Sequence, residues 1–286
     1  MSVSAEALPR GRSRRRRRGA DVPRHLMLGL LLIVTFYPFL FLLMTSVKSF
    51  AQFSHNFWMP TWPLELENYQ AAFNGIYRYV LNSAFVTVTT LIGLLAVSSV
   101  TAYVFARFQF PGKGVLYYLI ISLLMIPGVL TLIPAFMLMV KLRLAGTYGA
   151  LILPYIAGGQ VFAIFIMRGF FASLPEELFE AARIDGASEW RNFWHIALPL
   201  SKPILGTVAI MNVMGTWNDY IWPLVNLYDD RLYTLPMGLM AFQHAYYTNW
   251  GPLFAGYVLS SLPLLALFLF TMRYFMRGIT SGALKI

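Results

Sequence analysis

The chain has 286 residues, 58% hydrophobic and 12% charged, with no cysteine. A soluble domain carries about 25% charged residues, so this balance, with a mean hydropathy of +0.62, indicates an integral membrane protein and excludes disulfide, thiol and cysteine-metal chemistry. The net charge of +10 is uneven, because Arg10, Arg12, Arg14, Arg15, Arg16, Arg17, Arg18 and Arg24 crowd the N-terminus. No aromatic residues interleave these arginines. Residues 1–25 are therefore expected to be a disordered cytoplasmic arm that sets topology and meets anionic headgroups, rather than a nucleic-acid binder.

A spanning helix needs about 20 apolar residues. Six segments meet this: 26–47, 80–105, 115–140, 147–170, 204–227 and 253–275. The first is too long for a signal-peptide core and lacks a small-residue cleavage site, which predicts a retained anchor. An even number of spans puts both termini on one side. Seventeen of the 22 Lys and Arg residues then fall on that side, which makes it the cytoplasm. Only the Lys141–Arg143 turn runs against the rule. Residues 48–79 are predicted to be an external loop rich in aromatics and proline, from Phe57 to Pro63, followed by Asn68-Tyr69. Asn82-Ser83 opens the second span. Pro127-Gly128 and Pro134 in the third span, and Pro154 and Gly158-Gly159 in the fourth, predict kinks or close helix packing.

Residues 173–203 are the most polar internal stretch. Ser173 and Glu176 have capping-box spacing, with Pro175 suited to a first helical turn. Leu174, Leu178, Ala181 and Ala182 recur at helical spacing, and Gly186 ends that helix. A second helix is predicted with Trp190, Phe193, Trp194, Ala197 and Leu198 on one face, closed by Pro199 and Pro203. The stretch therefore reads as a helix-turn-helix on the membrane surface.

The fifth span contains Trp217, Asn218, Asp219 and Tyr220. Asp219 is the one charge away from the cytoplasmic ends of these spans. It either faces a water-filled path, as intramembrane charges usually do, or sits near the outer interface and caps or pairs locally. No G-x-x-x-x-G-K-[ST] phosphate loop and no G-x-S-x-G occur, and His25, His55, His195 and His244 are scattered. The chain is thus expected to be non-catalytic, to bind no cofactor or metal, and to draw energy from another chain or an ion gradient.

Glu180-Ala181-Ala182, three residues, Gly186, nine residues, Ile196, one residue and Leu198-Pro199 match the EAA loop of ABC importer permease subunits at every position. The Asn68-Tyr69 and Asn82-Ser83 rhythm, the run from Trp217 through Tyr233-Thr234-Leu235-Pro236, and the small-residue tail at 278–286 resemble the carbohydrate-uptake members. The resemblance covers most of 26–286.

That resemblance implies an all-α membrane protein with the six-helix type I ABC importer permease architecture. Residues 26–277 would form the permease domain and 278–286 a cytoplasmic tail. It implies a second homologous permease, two cytoplasmic ATPases carrying ATP and Mg, an extracytoplasmic solute-binding protein, and a bacterial or archaeal plasma membrane. Glu180, Ala181, Ala182 and Gly186 would form the ATPase-coupling element. Trp217, Asn218, Asp219 and Tyr220 are candidates for the sugar path, where aromatics suit stacking on sugar rings. The alternative is an ion-coupled secondary transporter using Asp219, which would be expected to carry paired internal repeats. A membrane glycosyltransferase would instead need an acidic or metal-binding cluster at one membrane face.

Overall fold

A computed structural model of the chain describes residues 18–245 and 249–283. Residues 1–17 of the predicted arm and the last three of the predicted tail lie outside the described residues. The described chain is helical, with no strand: α1 (Arg18–Ser46), α2 (Phe50–His55), α3 (Glu67–Arg107), α4 (Lys113–Ser122), α5 (Gly128–Lys141), α6 (Gly149–Ser173), α7 (Glu176–Ile184), α8 (Glu189–Asn192), α9 (Leu198–Leu200), α10 (Lys202–Asn218), α11 (Ile221–Asn226), α12 (Leu235–Ala245) and α13 (Trp250–Ala283).

Among the described residues, four helices are long and apolar enough to cross a membrane unbroken, within α1, α3, α6 and α13. By length and composition, two bent pairs, Lys113–Met125 with Gly128–Lys141 and Glu189–Leu200 with Lys202–Asn218, raise the count to as many as six. The third predicted span is one of these. Proline disfavours α geometry in the residue before it and donates no hydrogen bond. Ile126 is accordingly extended ahead of Pro127, and the segments on either side meet at 103°. The kink expected at Pro127-Gly128 is thus a full break, whereas Pro134 stays inside α5.

Two more expectations change. Residues 18–25, assigned to a disordered arm, already belong to α1. The supposed external loop over 48–79 contains α2 and the first turns of α3, so Asn68 and Tyr69 are helical. The role of the asparagines then becomes plain. Asn68 is buried, and its Nδ2 donates to the carbonyls of Ser46 (3.0 Å) and Lys48 (2.9 Å), closing the end of α1 onto α3. Lys48 Nζ in turn donates to Asn56 O (2.7 Å) and Phe57 O (3.0 Å). At the second pair, Asn82 Nδ2 donates to Arg231 O and Tyr233 O, and Ser83 Oγ accepts from Leu235 N at 2.7 Å. Both pairs fasten α3 to its neighbours.

The most extensive pairing is α3 against α6. Small residues let these backbones close up. A Cβ on Gly93 would meet Ile156 Cδ1 at 2.5 Å, and one on Gly159 would meet Leu94 Cδ1 at 3.1 Å. α10 and α13 complete the bundle; α1 packs along α13 and is tied at its end to α3 through Asn68 and Tyr69. The Leu26–Phe39 stretch of α1 is exposed throughout.

Candidate docking hairpin and membrane groove

The hairpin grows from the end of α6. Ser173 is the last residue of that helix, and its hydroxyl bonds back to Phe170 O at 2.7 Å, so the predicted capping box does not form. Pro175 occupies the N-cap of α7 without a side-chain cap. Glu176, freed from capping, pairs with Arg107 at the end of α3 and with Arg183 at 2.9 Å. Arg183 also pairs with Glu189 at 2.9 Å, and Tyr103 donates to the other oxygen of Glu189 at 3.2 Å. Hydrogen bonds from Arg183 to Glu189 and Glu176 raise its pKa further above its already high ordinary value. A continuous ionic chain therefore links both hairpin helices to α3.

Under this chain lies Phe179, fully buried among Tyr103, Phe171 and Phe193. The Arg107 guanidinium covers its ring at 4.0 Å. The periodic set that included Leu178 pointed elsewhere: Leu178 is exposed and Phe179 is the anchor. The turn behaves as the sequence indicates. Gly186 has φ +79°, and N–H groups of Asp185, Gly186 and Ala187 satisfy the carbonyls of Ala181, Arg183 and Ala182. Glu180, Ala181 and Gly186 are exposed and Ala182 half-buried, so the four together present an open surface.

The second helix departs from the prediction. Residues Phe193–Ala197 form a π-helical segment, whose wider turn admits one more residue than an α turn. Phe193 and Ala197 are buried, whereas Trp190 and Trp194, expected on the same face, are exposed. Asn192 is fully buried instead.

The sugar-path candidates separate. Trp217 is buried in the bundle, and the Asn218 amide folds back onto Met214 O at 2.8 Å. Tyr220 packs against the cluster around Trp222. Asp219 is not inside a continuous helix, because α10 ends at Asn218 and α11 begins at Ile221. Its Oδ1 accepts from Ile221 N (3.0 Å) and Trp222 N (3.3 Å), and its Oδ2 accepts from Tyr155 OH at 2.8 Å. The local-capping alternative therefore describes the carboxylate's contacts. Asp219 also lines a cavity of about 500 Å³ with Tyr155 and Thr131. A second cavity of about 380 Å³ shares Pro154 and Tyr155 and continues along Gly158, Asn212 and Gly215. Asn212 Oδ1 is buried there without a partner. Sequence patterning had singled out neither Tyr155 nor Asn212, since one polar side chain in an apolar run carries no periodic signal.

A hairpin keyed to the ends of membrane helices, beside a groove between α6 and α10, is the build of a multi-pass membrane permease. The chain belongs to the family of binding-protein-dependent transport system inner membrane components, which it matches over residues 95–281. It is similar to the probable ABC transporter permease protein YurM of Bacillus subtilis, at 40% identity over 261 residues, 90% of this chain and 86% of that one. It is 38% identical over 225 residues to the arabinooligosaccharides transport system permease protein AraQ of Halalkalibacterium halodurans, 78% of this chain and 80% of that one. The fold resembles a chain of a bacterial ABC transporter involved in the import of the acidic polysaccharide alginate. The TM-score is 0.80 at 23% identity, covering 93% of this chain and 100% of that one. The chain is thus a permease subunit of an ABC importer.

Proposed function

We propose that this permease passes an oligosaccharide, together with a second homologous permease, and that cytoplasmic ATPases holding ATP and Mg drive it through the hairpin. A solute-binding protein on the other face would deliver the sugar. The sugar class is supported by the arabinooligosaccharide relative. The ion-coupled alternative gains no support from Asp219, whose carboxylate is occupied by two backbone amides and a tyrosine.

The observation that carries the coupling role is Gly186 at φ +79°, turning an exposed Glu180-Ala181-Ala182 helix back toward the bundle. Beyond its chain neighbours, no atom of this chain lies within 4 Å of a Cβ added there, so within the chain a substitution acts through backbone strain. Gly186→Val should distort the turn at a cost of about 1–2 kcal/mol. It should lower sugar-stimulated ATP turnover in reconstituted complexes without loss of the membrane bundle. Gly186→Asn, which tolerates the left-handed region, should retain more coupling. Equal, wild-type stimulation in both variants would remove the coupling role.

We also infer that the termini and the hairpin face the cytoplasm, from the Lys and Arg bias. A reporter fused after Ile286 should then be cytoplasmic and one inserted near Asn56 external. A cytoplasmic signal at Asn56 would reverse the topology.

A further inference from the structure

We propose that residues 189–200, the second half of the hairpin, rest in the lipid headgroup layer, with Trp190 and Trp194 as anchors and Arg191 and Lys202 meeting anionic lipid phosphates. The partner of this face is the bilayer, distinct from the ATPase-facing surface around Gly186.

Four observations converge. The first is direction: Glu189–Leu200 meets the spanning Lys202–Asn218 at 73°. A segment nearly perpendicular to a crossing helix lies close to the membrane plane. The second is the apolar stripe. In an α-helix every fourth residue advances about 40° around the axis. The wider π turn beginning at Phe193 reduces that drift and keeps Trp190 and Trp194 near one line, while Leu198 packs against the core. Trp190 and Trp194 are 60% and 57% exposed, while Asn192, Phe193 and Ala197 face inward.

The third is depth. Trp190 borders a cavity of about 150 Å³ lined by Val100, Val104 and Phe108. At 1.5 Å per residue, Val100 lies roughly 10 Å inside the Arg107 end of α3. The same cavity runs out to Phe108, just past that end, so Trp190 packs beside the last turns of a spanning helix, where tryptophans form interfacial belts. The fourth is charge. The one carboxylate of this half, Glu189, is held by Arg183 and Tyr103, while Arg191 and Lys202 are exposed. The exposed carboxylates Glu177, Glu180 and Asp185 all belong to α7 and the turn. One half of the hairpin thus offers an acidic surface suited to a protein partner. The other offers tryptophan and basic groups suited to anionic lipid.

Because the chain has no cysteine, single spin labels can be placed cleanly. Labels at Trp190→Cys, Trp194→Cys and Ile184→Cys would be compared in nanodiscs of phosphatidylcholine alone or mixed equally with phosphatidylglycerol. The expected result is a several-fold excess of oxygen over aqueous nickel-chelate collisions at 190 and 194, and the reverse at 184. Adding the ATPase subunit should shield 184 and leave 190 and 194 unchanged. Arg191→Gln with Lys202→Gln should raise nickel access at 194 in the anionic discs only. Aqueous exposure at 190 and 194, or shielding there by the ATPase equal to that at 184, would overturn the lipid assignment and give this face to a protein. Gly186→Val leaves this pattern intact if the two surfaces are separate, so failure of ATPase coupling and failure of lipid seating remain distinguishable.

Discussion

Phe179→Ala is expected to detach the docking hairpin while leaving the membrane bundle inserted. The ring is 0% exposed, and truncating a buried phenylalanine to alanine costs about 3–5 kcal/mol. The variant also removes the platform under the Arg107 guanidinium, a contact of about 1 kcal/mol. α7 has nine residues, below the length at which an isolated helix is stable in water, so apart from the ionic chain to α3 little else holds it folded. Hydrogen exchange should show lost protection over 176–200 and unchanged protection in α3 and α6. Uptake in proteoliposomes should fall to background. Phe179→Leu, which keeps most of the volume, should show an intermediate loss. Native protection over 176–200 in Phe179→Ala would mean that the ionic chain alone secures the hairpin.

The second large effect is expected at Asp219. Asp219→Ala strips the acceptor from two backbone amides and from Tyr155 OH. The Ile221 amide is exposed and can turn to water, so the cost falls on the partly buried Trp222 N–H and Tyr155 OH, where a buried donor left unpaired costs about 1–3 kcal/mol. The link from α6 to the junction of α10 and α11 should loosen, with lower thermal stability in detergent and impaired uptake. Asp219→Asn separates geometry from charge, because its side-chain oxygen can still cap Ile221 and Trp222. Recovery of stability and uptake together in the Asn variant assigns Asp219 to capping. Recovery of stability without uptake assigns the charge to the path. Unchanged stability and uptake in Asp219→Ala would show that the junction does not depend on this residue.

Spanning segments are written in local composition, so the spanning helices within α1, α3, α6 and α13 could be read from the sequence. The interruptions of the other segments could not. Pro127 marks a possible kink, but the 103° angle depends on what the two arms pack against. Asp219 looked like a charge within a helix because the flanking residues are apolar on both sides, and the break appears only once its carboxylate is seen capping α11. The capping-box spacing at Ser173 lost to tertiary ion pairs that take Glu176 away, whereas Ser49 and Gln52 form a complete one. In the hairpin the turn at Gly186 was legible because a positive φ has a residue preference. The anchor Phe179 was not, since a nine-residue helix offers too few periods to tell its inner face from its outer one.

The tight fit between α3 and α6 gives the hairpin mechanical reach. With 41 residues, α3 is about 60 Å long at 1.5 Å per residue. Leu94 and Gly93 knit it to Gly159 and Ile156 midway, so the two helices form a single thick strut. Arg107 fixes the hairpin to one end of that strut, while Asn82, well along its length, grips the 231–233 segment. A tilt of about 5° about the Arg107 end displaces Asn82, about 37 Å away, by roughly 3 Å, about the length of the hydrogen bonds it makes. A small rotation applied at the Arg107 end would thus be carried, by length alone, to the Asn82 contacts far along the same helix.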